Sequence, residues 1–560
     1  MNLIPSINGL IRPMPGYCTL PRLLTYEGPC AESTVQLFIG RVRRLPGMGK
    51  LSSQKSQEGF LVFRTVKGLK DEAYRLLLAE DGVTCEAASQ SGFSMALVTL
   101  YQLLADEGPD LPCLYLEDCP RYPWRGFMLD VCRHFFGVDE IKRMLEQCAL
   151  LKLNRFHWHL SDDQGYRIES KRFPRLNEIS AWRAQTNGDG VPHGGFYTQA
   201  EIREINDFAA ERFIEVVPEI DLPGHTTALL AAYPELSCTG EPLAVAEHFG
   251  ILERILCAGK ESVYAFLDAL LEEVCPLFPS RYFHIGGDEA PKVEWEKCPD
   301  CRRALTAHGL ADYEALQAYF TGRLVTLLKR RGKTAIGWNE ALSSGQLDAT
   351  VIAQYWAEWG RGYSLEEAKR GRHFILSNVE VFYLDYPYAL APLRAQLAYQ
   401  PNMQGQPLPD NAQVLGLEAP LWSEWLPDAR QMECMVFPRL AALAQRAWAQ
   451  EISYADFVAR CPAYLRRLDR AGIAHASLEE AEIHGAEGIR KIVAHFSAMA
   501  ERMAGSGQDL RSLPPEQLVQ AQNFARSFLG RFMRASYTNE EIDEAVRQLF
   551  SLAPDRPADQ

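Results

Sequence analysis

From Arg125 to about Trp448, short apolar runs alternate with longer amphipathic stretches. The runs are Gly126–Val131, Arg155–Leu160, Ile214–Glu219, Tyr282–Gly286, Thr334–Trp338, Val351–Trp356, His373–Ser377 and Val414–Glu418. Runs of this length and apolar content suit strands buried on both faces, as in a parallel sheet. Between them, Val138–Leu151, Thr198–Arg212, Glu261–Phe278, Asp312–Arg331 and Gln431–Trp448 repeat apolar residues at helical spacing. Strands and helices in that rhythm predict an α/β protein with a (β/α)8 TIM barrel. Upstream, Phe60–Arg64, Ala73–Ala79 and Val83–Ala88 read as strands and Phe93–Leu104 as a helix. Pro109, Pro112, Pro120 and Pro123 punctuate the exit from that unit. After Glu451 the pattern is helical only, over Ala455–Ala471, Leu478–Met503, Pro515–Leu529 and Asn539–Leu552, with a frayed end from Ala553. The expected organisation is an N-terminal α+β domain (1–120), a barrel catalytic domain (121–450) and a helical C-terminal region (451–560).

Composition narrows the function classes. Of 560 residues, 47% are apolar and 23% charged, as in an ordinary soluble protein. The balance of 58 Lys+Arg against 72 Asp+Glu, net -14, argues against nucleic acid or an anionic membrane as partner. The apolar stretch Phe93–Ala105 is too short to span a bilayer and contains Gln102. The start, Met1-Asn2-Leu3-Ile4-Pro5, lacks a basic segment followed by an apolar one, so no signal peptide and a cytoplasmic location are expected. In that compartment the 14 scattered Cys are expected to be reduced, buried thiols. Cys298-Pro-Asp-Cys301 stands out, but zinc needs further ligands and none follows at similar spacing, so the pair is read as a loop detail. No metal or cofactor is expected.

The candidate chemistry collects where the strands end, which in a barrel enzyme is the catalytic rim. Asp130, Arg133 and His134 follow the first run, and Asp162 and Asp163 the second. Pro218-Glu219-Ile220-Asp221-Leu222-Pro223-Gly224-His225 closes the third, and Gly286-Gly287-Asp288-Glu289 follows the fourth. Trp338 with Glu340, Tyr355-Trp356, Tyr383 with Asp385, and Trp422 with Glu424 complete the rim. Carboxylates and an Arg can hydrogen-bond sugar hydroxyls, while Trp and Tyr faces stack on the apolar face of a pyranose; Trp338, Trp356 and Trp422 would wall one ring. Two close carboxylates such as Asp288 and Glu289 push their pKa values apart, so one stays ionised and the other can act as general acid. Asp162, His225 and the acid pair could form a chain in which a carboxylate orients an imidazole. His157 and His159 share a strand face and read either as hydrogen-bonded interior histidines or as a metal-ligand pair with His225 and an Asp. A metal-dependent hydrolase and a non-catalytic sugar-binding barrel therefore remain open on these residues alone.

The wording of the chain adds a further clue. Trp124-Arg125-Gly126-Phe127-Met128-Leu129-Asp130-Val131-Cys132-Arg133-His134-Phe135 and Asn154-Arg155-Phe156-His157-Trp158-His159-Leu160-Ser161-Asp162-Asp163-Gln164 resemble the family 20 glycoside hydrolases, the β-N-acetylhexosaminidases. The likeness continues through Pro218–His225, His284–Glu289, Gly337-Trp338-Asn339-Glu340 and Leu421-Trp422-Ser423-Glu424, in the family's order.

The resemblance implies removal of terminal β-linked GlcNAc or GalNAc from an oligosaccharide or glycoconjugate, with retention, the substrate's own 2-acetamido oxygen serving as nucleophile. It implies Glu289 as general acid and base, Asp288 as the group that orients the acetamido N–H, and Tyr383 as donor to the acetamido oxygen. Trp338, Trp356 and Trp422 would enclose the ring. Arg133 would bind the C3 and C4 hydroxyls, and Asp385 and Glu424 the C4 and C6 side. Asp162 and His225 would relay toward Glu289, supported by Asp221. Cys132, Tyr166 and Asn339 stand where Ser, Trp and Asp are commoner, which bears on the pocket rim. The helical tail has no role by resemblance; packing on the barrel and a homodimer contact are both open.

Overall fold

A computed structural model describes residues 1–345, 347–403, 405–450, 453–503, 515–533 and 537–551. The chain starts with a seven-stranded sheet of β1 (Ile11–Thr19), β2 (Leu23–Glu27), β3 (Ser52–Lys55), β4 (Leu61–Thr65), β5 (Tyr74–Ala79), β6 (Gly82–Ala87) and β7 (Asp110–Asp118), in the order β1-β7-β5-β6-β4-β2-β3. Helices α1 (Glu32–Arg43) and α2 (Gln90–Glu107) pack on it through Phe38, Ile39, Phe93 and Leu100. Sequence patterning identifies β4, β5, β6 and α2 and misses the rest. The reason is visible in β1, an edge strand almost wholly exposed, carrying Pro13 and Pro15 and a register shift between Pro13 and Tyr17. Proline is tolerated there because an edge strand has one free side.

The barrel consists of β8 (Trp124–Asp130), β9 (Arg155–His159), β10 (Glu215–Glu219), β11 (Tyr282–His284), β12 (Thr334–Trp338), β13 (Ile352–Tyr355), β14 (His373–Leu376) and β15 (Gln413–Leu421). All neighbours are parallel, and β15 closes on β8. Each strand falls within a few residues of its expected position. The outer helices include α3 (Val138–Leu150), α4 (Gln199–Ala210), α5 (Glu261–Val274), α6 (Pro299–His308), α7 (Tyr313–Arg330) and α8 (Arg361–Lys369). The single helix expected over Gln431–Trp448 is in fact two, Ala429–Val436 and α9 (Arg439–Trp448), parted at Phe437-Pro438. Proline has no N–H to give and its ring blocks the preceding turn.

Buried ion pairs join the first domain to the barrel. Arg125 meets Glu72 at 2.6 Å, and the Lys152 ammonium lies 2.8 Å from Asp118 and from the Tyr74 hydroxyl. The Trp448 indole donates to the same Asp118 at 2.9 Å. The helical tail contains α10 (Tyr454–Ala471), α11 (Gly485–Met503), α12 (Pro515–Met533) and α13 (Asn539–Ser551). One long helix was expected over Leu478–Met503; Gly485, at φ +61°, interrupts it after a short turn at Leu478–Ala481. Leu552 and the end expected to fray lie outside the described residues. The tail packs on the barrel: Ile489, Ile492, Val493 and Leu529 share a cluster with Val379, Tyr383 and Leu390. The tail thus buttresses the segment beyond β14 that carries Tyr383 and Asp385. No helix among the described residues is long and apolar enough to cross a membrane.

Candidate active site

The candidate catalytic and sugar-binding residues lie at the C-terminal ends of the barrel strands. Arg133 follows β8, Asp162 follows β9, His225 follows β10, and Asp288 and Glu289 follow β11. Trp338 ends β12, Trp356 follows β13, Tyr383 and Asp385 follow β14, and Trp422 and Glu424 follow β15.

Backbone geometry builds the turn beneath the acid pair. Gly286 and Gly287 adopt φ +63° and +99°, a region L side chains rarely enter. A Cβ on Gly286 would lie 1.6 Å from Asp221 Oδ1, so only glycine lets that carboxylate fit. The same oxygen accepts the Gly287 N–H at 3.1 Å. Glu289 itself sits at φ +42° and His225 at φ +51°. Left-handed backbone at a non-glycine residue costs about 1–3 kcal/mol and persists where the surroundings over-determine it. These two strained residues face each other: His225 Nε2 is 3.6 Å from Glu289 Oε2 and 4.0 Å from Asp288 Oδ2.

Behind His225 stands a carboxylate pair. Its Nδ1 is 3.3 Å from both Asp162 Oδ1 and Asp163 Oδ2. Burial favours a neutral ring, but Asp162 and the hydrogen bonds outweigh it and raise the pKa of His225 well above the usual range. Asp162 in turn lies 2.9 Å from both Arg133 Nη2 and His159 Nε2. Burial opposes its charge, yet Arg133 and His225 hold it well below the usual carboxylate range. Arg133 is fixed further by Gln164 at 3.1 Å and Asp130 at 3.3 Å, lies 3.8 Å from Glu424, and covers the Trp422 ring.

Four aromatic rings form a box beside the acids. Trp338 lies 6.5 Å from Trp356 and 5.9 Å from Trp422, while Tyr383 lies nearly parallel to Trp356 at 5.9 Å. The Trp338 indole donates to Glu219 at 2.9 Å, and the Trp356 backbone N–H donates to Asn339 Oδ1 at 2.9 Å. Cys132 and Tyr166 are both fully buried, Cys132 against the His159 carbonyl and Tyr166 in the hydrophobic core. A cleft of 380 Å³ opens beside Glu289, lined by Glu340, Trp359 and Tyr363. The larger cavity of 840 Å³ lies at the opposite end of the barrel, against the first domain.

The carboxyls at the rim are poorly compensated. Burial, then the Asp221 charge, raises Asp288 well above the usual range, and its Oδ1 has no hydrogen-bond partner among the described residues. Burial also raises Asp221 and Glu340 to about 7 and Asp385 to about 8. Glu424 moves in the same direction for the same reason. Removal from water also raises Tyr383, with the Asp288 charge second.

His157 and His159 turn out to be clasped between carboxylates. His157 lies 2.8 Å from Glu418 and 2.9 Å from Glu219; His159 lies 2.5 Å from Glu219 and 2.9 Å from Asp162. Burial opposes their charge, but Glu219 chiefly reverses it, holding His157 up at about 9 and His159 well above its usual range. Three residues gain a place here that the motifs did not give them: Glu219 as hub, Gln164 on Arg133, and Tyr386, whose hydroxyl feels Asp385, Glu424 and Glu289. Tyr386 could have been suspected from its place beside Asp385 in an aromatic run.

A parallel barrel whose rim sets paired acids against an aromatic box is the architecture of a glycoside hydrolase. Comparison with known proteins sharpens that class. The description "Glycosyl hydrolase family 20, catalytic domain" matches residues 122–451, and "Glycosyl hydrolase family 20, domain 2" matches residues 2–119. The chain belongs to glycosyl hydrolase family 20. It is 38% identical over 432 residues to a beta-hexosaminidase of Porphyromonas gingivalis, covering 73% of this chain and 55% of that protein. It is 33% identical over 454 residues to a beta-hexosaminidase of Akkermansia muciniphila, covering 79% and 91%. The crystal structure of the GH20 exo beta-N-acetylglucosaminidase from Vibrio harveyi in complex with N-acetylglucosamine superposes with a TM-score of 0.77 at 30% identity, over 85% of this chain and 78% of that one.

Proposed function

We propose that the chain is a retaining exo-β-N-acetylhexosaminidase that removes terminal non-reducing β-linked GlcNAc or GalNAc with the help of the substrate's own 2-acetamido group. The observation that carries this reading is Asp288: a buried carboxyl with one oxygen unpartnered, among aromatic rings, beside a second acid that reaches the cleft. The N-acetylglucosamine in the Vibrio harveyi relative supports the sugar class.

In this reading Asp288 Oδ1 accepts a hydrogen bond from the acetamido N–H and turns the acetamido oxygen toward the anomeric carbon. Tyr383 donates to that oxygen. As the oxygen–carbon bond forms and the glycosidic bond breaks, Glu289 passes its proton to the departing oxygen. The positive charge of the oxazolinium favours the ionised form of Asp288, the buried acid beside it. Water then attacks the anomeric carbon, Glu289 takes its proton, and the acetamido group is restored with overall retention. His225, held by Asp162 and Asp163, fixes Glu289, and Arg133 with Glu424 and Asp385 binds the ring hydroxyls.

The test compares an aryl β-N-acetylglucosaminide with the matching aryl β-glucoside, which differ only at C2. Cleavage confined to the acetamido sugar is expected. Equal cleavage of both would mean the protein supplies its own nucleophile, and cleavage of neither would remove the hydrolase assignment.

A further inference from the structure

The long segment after β10 and the loop after β11 meet at four cysteines outside the acid site. Cys238 follows a short turn at Pro234–Leu236, Cys257 precedes α5, Cys298 caps α6 and Cys301 lies in its first turn. All four sulfurs lie within 4.8 Å of one another. The separations are 3.9 Å for Cys238–Cys301, 3.7 Å for Cys257–Cys298 and 3.6 Å for Cys257–Cys301. A disulfide would need about 2.05 Å, which none of these pairs approaches. A zinc ion bound at about 2.3 Å by four sulfurs at tetrahedral angles places them about 3.8 Å apart, and the observed edges match that figure.

The surroundings are built for close approach. A Cβ on Gly259 would lie 2.2 Å from the Asp300 carbonyl carbon and 2.3 Å from the Cys301 nitrogen, so glycine is required for the two chains to touch. The Gly259 N–H points at the Cys257 sulfur. Cys257, Cys298 and Cys301 are buried beside Leu256 and Trp295, and Cys238 is half-buried. The Lys260 ammonium caps the carbonyls of Glu235 and Ser237, next to Cys238, and puts a positive charge near the four sulfurs. The N-terminus of α6 adds its dipole to the same end.

We propose that Cys238, Cys257, Cys298 and Cys301 bind one zinc ion as a structural tetrathiolate site. Four protein ligands leave no open position, so the ion takes no part in chemistry. It ties together the two segments that carry the acid site. Leu256 donates its N–H to Pro223 at 3.1 Å, two residues before His225, and accepts from the Trp295 indole at 2.9 Å, six residues after Glu289. The zinc thereby helps set the separation of His225 and Glu289. The isolated Cys-x-x-Cys is half of this site; the other half arrives from 41 and 60 residues upstream of Cys298 and is brought in by the fold.

The full chain, made without a metal-affinity tag in zinc-containing medium, is analysed by elemental mass spectrometry. About one zinc per chain is expected, falling to background in Cys298→Ser/Cys301→Ser. Should that variant fail to fold, the wild type still decides: stepwise mercurial titration with a zinc-sensing dye should release the ion as the four thiols react. Replacement by cobalt(II) should give the visible spectrum of a tetrahedral tetrathiolate. Iron in place of zinc would overturn the assignment, as would disulfides among these cysteines in non-reducing peptide maps or all four thiols alkylating freely in zinc-replete protein.

Discussion

The inside of the barrel and its rim both bury charge, but they treat it in opposite ways. Inside, Glu219 touches His157, His159, His284 and the Trp338 indole, and Glu418 touches His157, Gln354 and the Trp124 indole. Despite complete burial, which favours neutrality, His284, His159 and His157 draw Glu219 well below the usual range. At the rim, Asp288, Asp221 and Asp385 each leave an oxygen unpartnered and shift upward. The interior carboxylates are each paired with imidazoles and hold the barrel wall; the rim carboxyls keep an oxygen for a ligand to complete. Burial of a carboxyl is therefore no guide to its role until its partners are counted.

Four substitutions can break or sharpen this contrast. Glu289→Gln, at the rim, should lower kcat roughly 100- to 10,000-fold on an aryl β-N-acetylglucosaminide while sugar binding persists, because it removes proton transfer alone. Glu219→Gln, inside, should act on the fold: His157 and His159 lose their shared counter-charge and His284 its carboxylate partner, and about 3–5 kcal/mol of stability should go, read as a large drop in melting temperature or in soluble yield. Asp288→Asn should show the reverse signature, a kcat loss of roughly 100- to 1,000-fold with melting unchanged or higher, since it removes an uncompensated buried acid. Melting that falls as far as in the Glu219 variant would erase the distinction. Asp221→Asn should act on pH dependence, with little change in melting at pH 4. The unfolded chain ionises Asp221 near pH 4, whereas the folded protein keeps its proton to about 7. Its stabilising contribution is full below pH 4 and is lost as pH rises to about 7, by at most about 1.4 kcal/mol per pH unit. The variant should therefore lose less melting temperature than wild type between pH 4 and 7.

Much of this was legible in the chain. The parallel strands announce themselves as apolar runs because both their faces are buried, and the rim residues follow because strand ends are fixed once strands are. What stayed hidden depends on long-range placement. The hub role of Glu219 needs His157, His159 and His284 from two other strands. The glycine at 286 makes sense only beside Asp221, 65 residues earlier. The edge strand β1 hid behind its prolines, and α1 lay in a stretch whose apolar face is interrupted by Arg41, which turns inward to meet Glu146 at 2.7 Å.

The central claim is that Asp288 and the substrate's acetamido group act together at an uncompensated rim. It is tested most directly by kcat/KM for aryl glycosides bearing N-acetyl, N-difluoroacetyl and N-trifluoroacetyl groups. Fluorine withdraws electrons from the carbonyl oxygen while leaving the N–H in place for Asp288. A steep fall at each fluorination is expected if that oxygen is the nucleophile; equal rates across the series would contradict the account.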